Sequence, residues 1–333
     1  MSASRPVALQ LFPLSDYLEQ GVAARCEVVR WFELDAAAQA ACLAELAPRV
    51  RAVVTSGHVG CPSTLVDALP ALSVIAVNGV GVDRVDLAQA RARHIHVGTT
   101  PGILTEDVAD LAVGLLISLL RGIAPADAYV RAGRWPQGEW PLARKVTGRR
   151  FGILGLGHIG RAIAQRLQAF GPVTWTGPTP KDVPWPYVPD LHTLARDSDV
   201  LIVACPATPA TRRLVDATVL DALGPQGWLV NISRGAVVDE PALITALQQG
   251  VIQVVPLAVP RKTQPGQHVR FGRCWQFAFS HRHVQPDFGR GDEWQPQGTQ
   301  RQQDAPSPGR EGAWLHAASN WKYCSPARVP SGA

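Results

Sequence analysis

The chain is 333 residues long, 46% apolar and 18% charged, with a formal net charge of +5. Such a length suits two domains with sizeable cores, and basic residues scattered along the chain rather than gathered in a stripe argue against nucleic-acid binding. Pro6, Pro13 and Asp16 interrupt any signal peptide, and no apolar run reaches membrane-spanning length. Cys26, Cys42, Cys61, Cys205, Cys274 and Cys324 show neither C-x-x-C spacing nor a metal pattern, which suits reduced thiols in a soluble, cytoplasmic, metal-free protein.

The first hundred residues alternate short apolar strands with helical segments. Strands are predicted at Val7–Phe12, Val50–Thr55 and Ser73–Val77, and helices at Ala36–Glu45, Ser63–Leu69 and Val85–Ala92. That alternation implies a small open α/β sheet, whose ligand loops sit at the carboxyl ends of its strands. Ser56–Gly60 and Asn78–Asp83 are such loops, rich in backbone donors, and plain turn chemistry explains them equally well. A long apolar helix then runs from Leu104 to Arg121, with Thr105 as its cap; apolar on nearly all faces, it belongs between domains or at a subunit contact.

Near the middle stands Phe151-Gly-Ile-Leu-Gly155-Leu-Gly157-His-Ile-Gly160-Arg161. An apolar strand, glycines at G-x-G-x-x-G spacing and a helical pattern from Arg161 to Phe170 together predict a dinucleotide-binding unit. Gly155 allows the tight turn, Gly157 lets backbone approach a pyrophosphate, and Gly160 lets helix pack on strand; Leu156, His158 and Ile159 complete the loop. The helix N-terminus offers free N–H groups and a positive dipole end to the phosphates. Further βα units follow: strands at Val173–Thr176, Val200–Ala204 and Trp228–Ile232, and helices at Leu191–Arg196, Ala217–Leu223 and Pro241–Gln249. The fold class is therefore α/β with two doubly wound domains, the second inserted after the first.

NAD-specific folds carry an acidic residue at the end of their second strand, to bind the ribose 2′-hydroxyl. Here that strand ends Trp175-Thr176-Gly177-Pro178-Thr179-Pro180-Lys181, and no carboxylate comes before Asp182. Gly177 sits about where the acid should be, while Thr179 and Lys181 offer a donor and a cation to a 2′-phosphate, which favours NADP over NAD. The plainer alternative leaves Lys181 a solvated loop lysine.

Asn78-Gly-Val-Gly-Val-Asp83, Thr100–Asp110, Gly155–Gly160 and Asn231-Ile-Ser-Arg-Gly-Ala-Val-Val-Asp-Glu240, taken in this order, resemble the D-isomer-specific 2-hydroxyacid dehydrogenases, particularly their glyoxylate/hydroxypyruvate reductase branch. The resemblance covers residues 5 to 252. It implies a flavodoxin-like substrate domain (1–99), a Rossmann NAD(P) domain (100–252) and hydride reduction of small 2-oxo acids such as hydroxypyruvate and glyoxylate to D-2-hydroxy acids. In that family Arg234 corresponds to the catalytic arginine, holding the substrate carboxylate and carbonyl oxygen through a bidentate guanidinium. His58, Val59 and Gly60 match the backbone grip on the substrate. Thr105, Cys205, Pro206 and Ile232 match surroundings of the cofactor; Cys205 has no nearby base to make it a nucleophile. The family is usually dimeric, pairing through the long apolar helix and the arm around Trp135, with no membrane or nucleic-acid partner.

Beyond Ile252 the pattern changes. The family carries a Glu in a D-x-F-x-x-E-P segment about thirty residues after the arginine, then a His in P-H-x-x-S that delivers a proton to the alkoxide. This chain reads Arg261-Lys-Thr-Gln-Pro265 and Ser280-His281-Arg-His283 at those places, and its remainder lacks helical periodicity. An irregular tail over 253–333 is thus expected, with His281 and His283 as lone stand-ins for the acid. Codons for Gly289–Gln297 read one base later are compatible with Glu-Ala-Met-Asn-Gly-Asn-Leu-Lys, which resembles the family's last helix, so a frame shift near residue 252 is the expectation. The alternatives are a divergent disordered tail and a nucleotide-binding protein without turnover.

Overall fold

The computed structural model describes residues 5–252 and the backbone of two further strands, Val255–Leu257 and Cys274–Gln276. These residues lie in one contact unit, Met1–Phe279. In chain order the first lobe has β1 (Val7–Gln10), α1 (Asp16–Ala23), β2 (Glu27–Arg30), α2 (Ala36–Leu46), β3 (Val50–Ser56), α3 (Ser63–Asp67), β4 (Val74–Asn78), α4 (Leu87–Ala92) and β5 (His96–Gly98). Then come α5 (Thr105–Arg121) and α6 (Ile123–Arg131). The second lobe has β6 (Phe151–Leu154), α7 (His158–Leu167), β7 (Val173–Thr176), α8 (Leu191–Arg196), β8 (Val200–Val203), α9 (Ala217–Leu223), β9 (Trp228–Asn231), α10 (Glu240–Gln249), β10 (Val255–Leu257) and β11 (Cys274–Gln276).

Every strand pairing in the two sheets is parallel. The first sheet has the order β2-β1-β3-β4-β5, the second β11-β10-β9-β8-β6-β7. Trp175 of β7 makes an isolated parallel bridge to Tyr187, the remnant of a further strand outside β7. In each sheet the winding reverses once, between β1 and β3 and between β6 and β8. At such a reversal, connecting loops leave in opposite directions from neighbouring strand ends and open a crevice.

Parallel strands covered on both faces are mostly apolar, and β1, β6, β8 and β9 are buried at every position, with polar residues only at the ends of β1 (Gln10) and β9 (Asn231). The period of two then divides their side chains between layers. Phe151, Ile153, Val200, Ile202 and Val230 face a core shared with α5 and α7. Leu154, Leu201, Val203 and Leu229 face another, shared with α8, α9 and α10. Each such side chain contributes about 1.5–3 kcal/mol by leaving water. Helix starts are set by aspartates: Asp35, Asp86, Asp190, Asp216 and Asp239 each accept a hydrogen bond from the backbone N–H three residues on.

Several elements differ from expectation. Thr105 is the first residue of α5 rather than its cap: Leu104 holds the cap position without a side-chain bond, and Glu106 and Asp107 supply negative charge to the first turn. The strands β2 and β5, which no apolar run announced, are the two edges of their sheet and are only partly covered, so Glu27, Arg30 and His96 are tolerated there. β10 and β11 fall within the segment expected to be irregular; Leu257 pairs with Asn231 on the open edge of β9, which can recruit any extended chain of suitable length. His281, His283 and the shifted codons at Gly289–Gln297 lie outside the described residues.

Among the described residues no single helix is long and apolar enough to cross a membrane. α5 and α6 reach that apolar length only as a pair bent by 58°. The burial of Ala109, Ala112, Leu115, Leu116 and Leu120 against the second sheet accounts for the apolar face of α5.

Candidate functional site

The crevice of the second sheet is built by three strand ends. β6 gives way to Gly155, whose φ is +97° and where an added Cβ would lie 2.6 Å from the Cys205 Cα. Only glycine allows the β6 turn to lie against the end of β8 in this conformation. A Cβ on Gly160 would overlap the Gly155 carbonyl oxygen, so helix and turn touch through bare backbone. Gly157 is different: it has ordinary extended backbone, and a Cβ there would meet nothing within 4 Å. Its glycine is needed by nothing in the chain itself, while it caps α7, whose first N–H groups lack intrahelical partners. Leu156 is buried, Ile159 is half-buried, and Gly157 and His158 are exposed at the mouth. This cradle fits a dinucleotide pyrophosphate.

The segment after β7 folds back on itself. The Trp175 N–H donates to the Pro186 carbonyl and Val188 N–H to that of Trp175, at 3.1 and 2.8 Å; the Tyr187 hydroxyl donates to Gly177 at 2.8 Å. The fold-back brings the Lys181 ammonium to the Leu156 carbonyl, 2.7 Å away, and over the Trp175 ring. Lys181, an exposed residue, is thus tethered to the glycine loop through that one bond. Thr179 is exposed in the same turn, and no carboxylate stands between Gly177 and Lys181.

Cys205 is buried at the end of β8, and its burial pushes the thiol up to about 11, so it remains protonated near neutrality. Its carbonyl accepts the Ser233 hydroxyl, and the Pro206 carbonyl accepts that of Thr211 at 2.7 Å. Ile232 is buried against the α5 side of the sheet, with its N–H on the Val203 carbonyl. The described hydrogen bonds of Thr105 stay within its own turn. Its helix is joined to α7 by Arg166, which holds Glu106 and Asp110 at 2.7 Å each.

Beyond β9 the chain is braced before Arg234. Asn231 uses both ends of its amide: the oxygen accepts the Ser233 N–H at 2.9 Å and the nitrogen donates to the Arg234 carbonyl at 3.0 Å. The Arg234 side chain then reaches the loops of the first sheet. Its Nε donates to Asp83 at 3.1 Å, Nη1 donates to the Ser233 carbonyl at 3.3 Å, and Nη2 lies where a Cβ on Gly81 would be. A Cβ on Gly57 would come within 3.2 Å of the same nitrogen. The glycines of the two loops thus form the slot that admits the guanidinium.

The loop at His58, Val59 and Gly60 adjoins this slot, with His58 and Val59 exposed. Its donors are partly used within the turn: Gly60 N–H donates to the Ser56 carbonyl at 2.8 Å, and Val59 N–H to the Ser56 hydroxyl at 3.3 Å. Gly60 has φ +72° and packs against Arg84, so a side chain has no room there. Gly57, Gly81 and Asp83 lie in the two loops expected to carry ligands, but nothing marks them out within those loops, because a pairing such as Asp83–Arg234 spans 151 residues and leaves no local pattern. Among the described residues no group of three or more His, Cys, Asp or Glu side chains could hold a metal ion.

Residues 113–274 match the family described as D-isomer specific 2-hydroxyacid dehydrogenase, NAD binding domain. The matched stretch passes the residue at which the resemblance was expected to end. The chain is similar to a hydroxyphenylpyruvate reductase of Plectranthus scutellarioides and a glyoxylate/hydroxypyruvate reductase A of Arabidopsis thaliana. Each is 43% identical over 244 residues, 73% of this chain and 77% of the relative. Among solved structures it is similar to the NADPH-dependent glyoxylate/hydroxypyruvate reductase of Sinorhizobium meliloti in complex with NADP and malonate. That likeness has a TM-score of 0.73 and 37% identity, covering 82% of this chain and 86% of the other.

Proposed function

Because this chain belongs to the D-isomer-specific 2-hydroxyacid dehydrogenase family, we propose that it is an NADPH-dependent reductase of small 2-oxo acids, glyoxylate and hydroxypyruvate foremost, yielding D-2-hydroxy acids. The observation that carries this is the Arg234 guanidinium at the end of β9, held in the glycine slot of the other lobe. When bound, the dinucleotide supplies the hydride. Arg234 keeps N–H groups on Nη1 and Nη2 that suit the carboxylate and carbonyl oxygen of a 2-oxo acid, orienting the acid and drawing charge onto the oxygen that becomes the alkoxide, which then takes its proton from solvent water. The α7 N-terminus and Gly157 would hold the pyrophosphate, Lys181 and Thr179 the 2′-phosphate, and Cys205, Pro206, Ile232 and Thr105 would form the remaining walls. NADP is preferred to NAD because a cation, and no acid, stands at the end of β7.

Residues 1–99 act as the substrate domain in this reading and residues from 100 as the cofactor domain, whose sheet runs past Ile252 through β10 and β11 into the segment of shifted frame. A homodimer goes with it, since Ile123, Val130, Trp135 and Leu142 expose apolar side chains beside α5 and α6. A cytoplasmic location goes with it too. Equilibrium binding of hydroxypyruvate to the NADP-loaded chain tests the site: the chain binds it, and Arg234→Ala loses it while keeping NADP. Equal binding by both forms would refute the role of Arg234.

A further inference from the structure

We infer that Asp83 is the positioning residue of Arg234, a carboxylate from one lobe that aims the guanidinium of the other at the anionic end of the substrate. This rests on the function proposed above and extends it to a residue of the opposite lobe. The two side chains are 24% and 23% exposed, and the Asp83 oxygens lie 3.1 and 3.4 Å from Nε. Asp83 sits on a fixed loop. Gly79 N–H donates to the Thr100 hydroxyl and Thr100 N–H to the Gly79 carbonyl, both at 3.0 Å; Cys61 N–H holds the Arg84 carbonyl at 3.0 Å.

A guanidinium has five N–H donors in one rigid plane. Asp83 takes the one on Nε and the Ser233 carbonyl one on Nη1, while Gly81 and Gly57 confine Nη2. What remains is the outer edge, formed by Nη1 and Nη2, which is the pair that a planar carboxylate or 2-oxo acid meets in two parallel bonds. Without Asp83 the long side chain would keep its charge and lose its direction, and ordering it would fall to the substrate. The opposite effect is also physical: the Asp83 charge repels an arriving carboxylate. The sign of a substitution decides between aiming and repelling.

The experiment measures binding of oxamate, a 2-oxo acid analogue, to the NADPH-loaded full chain and to Asp83→Ala and Asp83→Asn. Asp83→Ala weakens oxamate about tenfold, the size of one hydrogen bond to a charged group. Asp83→Asn, which keeps an oxygen acceptor for Nε, loses roughly a third as much affinity on the same scale. NADPH affinity stays within about twofold in both, since Asp83 touches the aiming of Arg234 and not the glycine cradle. Unchanged or tighter oxamate binding in Asp83→Ala overturns the inference. So does an equal loss of NADPH affinity, which would make Asp83 a folding residue. If the unsubstituted chain binds NADPH but no oxamate, the proposed substrate site itself fails and the inference with it.

Discussion

Replacing Gly157 and Gly155 separately by alanine distinguishes a glycine kept for a ligand from one kept for the fold. At Gly155 the backbone is left-handed, costing a β-carbon about 1–2 kcal/mol. The new atom would also stand 2.6 Å from the Cys205 Cα and 2.7 Å from its nitrogen. Both are backbone of a neighbouring strand end, so the crowding adds about 1–3 kcal/mol. Gly155→Ala should therefore lose about 2–5 kcal/mol in a urea titration, and NADPH binding with it. At Gly157 the φ of −79° is open to any residue and nothing lies within 4 Å. Gly157→Ala should match or exceed the parent in stability, by up to about 1 kcal/mol, through the lower entropy of its unfolded chain. Its methyl group nonetheless stands where backbone must meet pyrophosphate. Loss of one charge-assisted hydrogen bond there, about 1.5–3 kcal/mol, predicts NADPH binding weaker by roughly 10- to 150-fold. Fluorescence titration of NADPH reads it. Full NADPH affinity in a stable Gly157→Ala would refute the cradle, and full stability in Gly155→Ala would refute the packing argument.

Lys181→Ala should weaken NADPH about tenfold and leave NADH unchanged, the size of one charge-assisted bond; equal losses would mean that Lys181 serves the Leu156 carbonyl alone. Asp216 caps α9, and the Thr218 hydroxyl and Val219 N–H that bond its carboxylate hold its titration below the usual range. Asp216→Ala should cost about 1 kcal/mol at pH 7. With the folded-state value depressed, the parent's advantage is present above the unfolded value and is lost as pH falls through the folded one, so urea midpoints of the two should converge in acid. An equal gap at all pH values would contradict this. Cys61 and Cys205, both raised to about 11 by burial, should resist iodoacetamide in the native chain near pH 8 and react after unfolding, as mapped by mass spectrometry. Rapid native labelling of either thiol would contradict its burial.

How much the residues announced follows from how local each signal is. Phe151–Leu154, its glycines and α7 form one contiguous unit, and the structure builds it there, although α7 starts at His158, inside the glycine motif, rather than at Arg161. β8 and β9 were legible as apolar runs because both faces are covered. The edges β2 and β5 were not, since half-covered strands need no apolar run. α6 was hidden by Pro125 and by the weak periodicity of its exposed face. At the site, Arg234 and the glycine loop lie in recognisable motifs. The pairing of Arg234 with Asp83 is long-range, and the internal use of the Gly60 N–H depends on turn geometry. Neither leaves a spacing to read. The expectation that regular structure ends at Ile252 failed at β10 and β11 because strand pairing depends on an available edge as well as on composition.

The central claim is reduction of small 2-oxo acids with Arg234 as the substrate-orienting group. Consumption of NADPH in the presence of hydroxypyruvate or glyoxylate, by the chain and by Arg234→Ala, tests it most directly. Saturable consumption by the chain, with kcat/KM lowered about 10²- to 10³-fold in Arg234→Ala, is the predicted result. NADPH that binds and is consumed with neither acid would contradict it.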